Sequence, residues 1–177
     1  ATFTFATTLT FPSGTSTLKI YSTTMNSGNT DQDHSNDTIQ NTFCTPYVGT
    51  LTINPSGGAT STNFTSFSNA ASRLVNCGIS GNVIIDVSDG IYNESVAFTG
   101  TIPGSHAGAT ITFRPASGDT GVWINSSTSH AFSLSGAKYI IFDGRPGGIG
   151  TTGVFNVYQT GSSFGAFNLT NDANRDT

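Results

Sequence analysis

Charge is what this sequence has least of. Six Lys and Arg and ten Asp and Glu make up 9% of 177 residues, against roughly 25% in an ordinary soluble domain. A net charge of -4 with so few basic groups leaves no electrostatic footprint for a nucleic acid, so that class of partner is excluded. Long apolar runs are also missing. None approaches the length of a membrane-spanning helix, so we expect no membrane insertion, and the N-terminus carries no basic-apolar signal segment. Methionine and tryptophan occur once each and cysteine twice.

Hydroxyls and amides replace the missing charge, since Thr, Ser and Asn exceed a third of the chain. With 21 Gly, this bias favours strands and turns over helix bundles. Thirteen Phe residues recur beside Ile, Val and Leu in organised runs, which argues against disorder. The chain opens mid-pattern at Ala1-Thr2-Phe3 and stops at Asp176-Thr177, and we expect it to be a piece of a longer secreted polypeptide.

Short β-branched and aromatic runs return through the second half. Val83-Ile84-Ile85-Asp86-Val87 is answered by Thr110-Ile111-Thr112-Phe113, then Tyr139-Ile140-Ile141-Phe142, then Gly165-Ala166-Phe167-Asn168-Leu169. The interval is roughly 28 residues, within the range of stacked repeat units. Further short strands lie between them at Ser95–Phe98, Gly121–Ile124, Ala131–Leu134 and Gly153–Val157. Several strands per repeat and no helix between them predict the rungs of a parallel β-helix, with Ile84, Ile111 and Ile140 in one inward column.

Residues 1–43 alternate at period two through Phe3, Phe5, Leu9, Phe11, Leu18 and Ile20, which predicts the last strands of a β-sandwich. Gly49–Asn54 reads as one strand. A helix follows: Phe64, Phe67, Ala71, Leu74 and Val75 share one face, Thr65 or Ser66 caps its start, and Gly78 supplies its end. Placed just before the first rung, it would cover the open apolar end of the stack.

These residues carry a resemblance. Gly49–Ile53, the Phe64–Leu74 helix, Cys77-Gly78-Ile79-Ser80-Gly81-Asn82-Val83, Asp89-Gly90-Ile91-Tyr92-Asn93-Glu94 and Ser135–Gly144 resemble the start of the β-helix module of large cell-surface proteins from Bacteroidota. The segment ending Ser35-Asn36-Asp37-Thr38 resembles the close of the Ig-like domains that often precede that module. The resemblance implies export by the type IX route, an extracellular or cell-surface location, and roles in adhesion, gliding or fibre-like appendages. The expected class is then all-β: a right-handed parallel β-helix with an N-terminal capping helix, preceded by the last strands of an Ig-like β-sandwich. Expected boundaries are 1–43 for the sandwich strands, 44–61 for a linker and first strand, 62–80 for the capping helix and 81–177 for the first rungs.

Cys44 and Cys77 allow one intramolecular pair. In a chain of extracellular character a disulfide is expected over a metal site, closing a loop worth about 3 kcal/mol; two buried free thiols are the other reading. Asp31, Asp33, Ser35 and Asp37 place oxygen atoms at alternate positions, as in the first half of a calcium loop. No Glu completes the loop downstream, and a polar hairpin tip accounts for the same residues. No other cofactor is expected. Asp37-Thr38-Ile39 resembles the Asp-Thr-aliphatic acceptor for O-glycosylation in exported proteins of that phylum, making Thr38 a modification candidate.

The acids nearest to a catalytic arrangement are Asp86 and Asp143, with Arg114 on the strand between. Two rungs would set them about 10 Å apart, a spacing that suits an inverting glycosidase, but a self-neutralising acid–Arg–acid ladder is the stronger reading. No catalytic residue is assigned. His106 and His130 read as surface residues. Trp123, Tyr139, Phe142 and Tyr158 form a sugar-stacking strip if they face outward, or core stacks if they face inward.

The function expected from all this is a non-catalytic structural segment of a long extracellular protein, an adhesin or appendage component acting as a stiff spacer. Its partners would be the remainder of that polypeptide, glycans or neighbouring subunits. A carbohydrate-active enzyme with its catalytic rungs downstream is a second reading, and a polymerising filament subunit a third.

Overall fold

A computed structural model describes residues 10–21, 38–161 and 163–173. β1 (Gly14–Tyr21) and β2 (Thr38–Thr45) form an antiparallel ribbon, pairing Gly14 with Thr45 and Tyr21 with Thr38. Pro46 alone separates the ribbon from β3 (Tyr47–Ile53), which leads through β4 (Asn63–Phe64) to α1 (Phe67–Cys77). The strands that follow are β5 (Ile79–Val87), β6 (Gly90–Asn93), β7 (Val96–Thr99), β8 (Ile111–Pro115) and β9 (Val122–Ser126). After them come β10 (Phe132–Ser135), β11 (Ile140–Phe142), β12 (Phe155–Gln159) and β13 (Phe167–Thr170).

Three parallel sheets take these strands in rotation. The first has the order β11-β8-β5-β3-β4, the second β12-β9-β6 and the third β13-β10-β7. Period-two alternation sends one side chain of each pair inward, and parallel pairing sets these in columns. Val83, Ile111 and Ile140 form one column, and Ile85, Phe113 and Phe142 a second. Tyr92, Ile124 and Val157 line up in the second sheet, and Val96, Phe132 and Phe167 in the third. In the first two members of each column burial is nearly complete, whereas Phe167 and Leu169 of β13 are exposed.

The all-β class, with its right-handed parallel β-helix and Ig-like sandwich, is corrected by this structure. The fold is mixed: 47% of it is strand and 12% helix, spread over several small parallel and antiparallel sheets and one α-helix. Within 1–43 the described residues form one two-stranded ribbon and no sandwich. Two finer expectations also change. Ile84 is not in the inward column, because Val83 pairs with Ile111 and a one-residue difference puts Ile84 on the other face. The run at 165–169 does not continue the first sheet, since Phe167–Thr170 pairs with β10 of the third. The spacing between paired residues is 28 from Asp86 to Arg114 in the first sheet, 32 from Asn93 to Asn125 in the second and 35 from Ser133 to Asn168 in the third. An interval of one length therefore describes only the first sheet.

The sequence explains α1 well. Phe67, Ala70, Ala71 and Leu74 fall at i, i+3, i+4 and i+7 and are buried. The Ser66 hydroxyl accepts from the Asn69 N–H at 3.0 Å, and Ser66 itself is extended (φ -161°, ψ 168°), so no helical turn precedes it. Phe64, expected on the helix face, therefore lies in β4, where its carbonyl accepts from the Asn54 N–H. Gly78, at φ 71°, ends the helix in a conformation that disfavours any side chain, and its N–H bonds the Leu74 carbonyl at 2.8 Å. The Phe67 ring reaches into the core, within 5.1–5.9 Å of the rings of Tyr92, Phe113, Phe132 and Phe155. Those four partners come from all three parallel sheets, so one helical side chain ties them together. Burying an aromatic ring this fully stabilises by about 2–3 kcal/mol.

Cys44 and Cys77 are joined in a disulfide, with Cα atoms 5.1 Å apart, inside the ordinary range for such bonds. It fastens the ribbon to the C-terminal end of α1.

Candidate functional site

The outer face of the second sheet carries the site. Outward positions on β6, β9 and β12 alternate with the inward column, which aligns Asn93, Asn125 and Tyr158 in one row and Ile91, Trp123 and Asn156 in the next. Trp123 and Tyr158 are diagonal neighbours, and their rings stack at 5.6 Å between centroids with 11° between planes. They nonetheless remain 40% and 46% exposed. Beside them lies an open groove of about 860 Å³, bordered also by Asn93, Asn125, Glu94 and Thr128.

The platform is held from beneath. Gly121 has no Cβ, and one built there would lie 2.6 Å from the Trp123 Nε1, so the indole occupies space that only glycine leaves open. The backbone under it is fixed by Asp89, whose carboxylate accepts from the Thr120 N–H at 2.9 Å and the Gly121 N–H at 2.8 Å. These bonds, Gly121 first, hold the Asp89 carboxyl below its ordinary value. Burial, then the Asp89 charge, pushes Asp119 the other way. Tyr92, inward on the same sheet, is pushed up to about 12 by burial, and its hydroxyl donates to the Ser88 carbonyl at 2.8 Å.

Glu94 is the groove's charged group, and its oxygens are already engaged. They accept from the Phe67 and Ser68 N–H groups at 3.0 and 2.8 Å and from the Ser68 hydroxyl at 2.6 Å. Asn125 Nδ2 donates to Asn93 Oδ1 at 3.5 Å, which leaves the side-chain Asn93 Nδ2 and Asn125 Oδ1 for other partners, while the Asn125 backbone carbonyl accepts from the Glu94 N–H at 3.0 Å. The Trp123 indole N–H and the Tyr158 and Thr128 hydroxyls make no hydrogen bond among the described residues.

Of the four aromatics weighed as an outward strip or as core stacks, Trp123 and Tyr158 face outward. Phe142 instead stacks inward on Phe113 at 5.6 Å, because it continues the Ile85–Phe113 column. Tyr139 is half-buried at the entrance to β11, in a left-handed conformation (φ 64°). Sequence reasoning missed Asn93 and Glu94; the signal available was that Asn93 ends β6 two residues from Ile91, on the face that carries Trp123, and Glu94 follows it directly.

The acid–Arg–acid ladder forms only in part, because Arg114 pairs with Asp86 while Asp143 takes Arg145 as its partner. Arg114 Nε bonds Asp86 Oδ1 at 2.6 Å, and Arg145 pairs with Asp143, holding that carboxyl below its ordinary range. The Asp143 N–H bonds the Phe113 carbonyl, so the groups follow the strand register. His106 is exposed as expected. His130 is half-buried at the surface and accepts from the Gly165 N–H at 3.1 Å. Thr38 opens β2 and is exposed. The calcium candidates Asp31, Asp33, Ser35 and Asp37 lie outside the described residues. Among the described residues no three His, Cys, Asp or Glu side chains group as a metal site requires, and no helix is long and apolar enough to cross a membrane. Neither a family model nor a curated protein nor a solved structure matches this chain.

Proposed function

We propose that this chain is a structural segment of a longer extracellular surface protein, an adhesin or appendage component of the type IX-exported kind, and that it serves as a stiff spacer. The observation that carries the reading is the in-register parallel pairing of every third strand from β5 onward, in three sheets, tied together by Phe67 and the Cys44–Cys77 disulfide. Backbone ladders of this kind share a load along many hydrogen bonds at once, and a covalent link keeps the ribbon from peeling first. A disulfide also suits an oxidising, extracellular setting. Charged side chains on the first sheet neutralise one another, Asp86 with Arg114 and Asp143 with Arg145, which fits a scaffold surface.

Single-molecule pulling through handles at the two ends of the chain tests this. A single cooperative rupture at high force, lowered by dithiothreitol, is expected. Gradual extension at low force would sink the spacer reading. So would release of products from polygalacturonate, with or without calcium, which would move the chain to the enzyme class.

A further inference from the structure

We infer that the groove on the outer face of the second sheet binds a neutral glycan chain, with a pyranose ring seated on the Trp123–Tyr158 platform. This goes beyond the spacer role and stands or falls separately from it, because the sheets can bear load whether or not the groove is occupied.

Three observations select that ligand. A sugar ring has an apolar face of C–H groups, and the indole and phenol, stacked on each other and half-exposed, leave aromatic surface of the same character open to it. Its rim of hydroxyls needs donors and acceptors in fixed places. The side-chain Asn93 Nδ2 and Asn125 Oδ1, the Thr128 and Tyr158 hydroxyls and the indole N–H supply both kinds, none of them committed elsewhere among the described residues.

Charge decides the rest. No Lys, Arg or His borders the groove, so an acidic sugar would find no counter-ion. The Glu94 carboxylate would repel it, being itself spent on the first turn of α1. A neutral polymer meets no such penalty. Preorganisation favours binding too: Asp89 fixes the Thr120–Gly121 backbone and Gly121 seats the indole before any ligand arrives.

Trp123 is the only tryptophan in the chain, so its fluorescence reports on the site directly. The intact chain is titrated with cellohexaose, maltohexaose, mannohexaose and xylohexaose, with a polygalacturonate oligomer and a proline-rich peptide as comparison arms. We expect saturable quenching or a blue shift with at least one neutral hexaose and none with the acidic oligomer. Affinity electrophoresis in a gel holding the matching polysaccharide should show retardation, with binding weakened about tenfold by Tyr158→Ala and retained by Tyr158→Phe. Trp123→Ala should abolish retardation while leaving the far-ultraviolet circular dichroism and melting temperature close to those of the parent. No response to any neutral hexaose overturns the proposal, as does binding confined to the acidic oligomer or to the proline-rich peptide. Retardation that survives in a folded Trp123→Ala variant overturns it as well.

Discussion

Glu94 grips Ser68 twice, accepting from its backbone N–H at 2.8 Å and from its hydroxyl at 2.6 Å. The other carboxylate oxygen takes the Phe67 N–H at 3.0 Å, so a side chain just beyond β6 satisfies the open N-terminus of a helix 26 residues earlier. Ser66 alone answers only the Asn69 N–H. Two of the four donors left free at any helix start thus rest on one carboxylate, which also favours the positive end of the helix dipole.

Removing that carboxylate should loosen α1. Glu94→Ala is expected to lower stability by about 1–2 kcal/mol, and Glu94→Gln by less, since an amide oxygen still accepts one bond. Urea unfolding followed at 222 nm gives both values. Equal losses in the two variants would mean that charge, not hydrogen bonding, does the holding.

Reduction should separate the ribbon from the rest. Opening Cys44–Cys77, or replacing both residues by Ala, is expected to lower stability by about 3 kcal/mol, as for a loop of this length. Amide exchange should then quicken in 14–21 and 38–45 while β5, β8 and β9 keep their protection. Exchange that rises evenly across all strands would contradict this order of events.

Core truncation should sort by column position. Phe113→Ala, at a fully buried site beside Phe67, Phe98 and Phe142, is expected to destabilise by about 3–5 kcal/mol. Leu169→Ala, 52% exposed on β13, should change stability by well under 1 kcal/mol. Chemical unfolding of the pair checks the contrast, and similar values would show that the inner columns are not continuous.

Asp89 sets the direction of one pH effect. Its carboxyl is held below the ordinary 3.8, so the folded chain binds fewer protons there than the unfolded one. Its stabilisation is fully present above the unfolded value and is lost as pH falls through the folded one. Asp119, raised by burial, acts oppositely: stability declines as pH climbs between its ordinary and raised values. Melting temperatures of the parent and Asp89→Asn should therefore differ most above the ordinary aspartate value of 3.8 and converge as pH falls below it. A gap that stays constant across that range would rule out the aspartate as its source.

What could be read from the sequence was what lies within a few residues. Alternation marked Val83–Val87, Ile111–Phe113 and Ile140–Phe142 as strands, the Phe67–Leu74 spacing and Gly78 bounded a helix, and Asp86, Arg114 and Asp143 took the register their positions suggested. Two cysteines left one pairing to find. Alternation does not say which strand lies beside which, so 165–169 pairs with the third sheet and not the first, and in an apolar run it does not say which face turns inward, so Val83 and not Ile84 fills the column.

The tertiary structure alone decided the rest. How the strands sort into one antiparallel ribbon and three parallel sheets depended on pairing over long separations, and those contacts leave no mark in a local pattern. The same holds for the groove. Trp123 and Tyr158 meet across paired strands, and Glu94 reaches the start of α1 only because the chain returns to it. Sequence fixes which side chains alternate; hydrogen-bonded pairing between distant strands fixes which of them become neighbours, and binding chemistry is a property of neighbours.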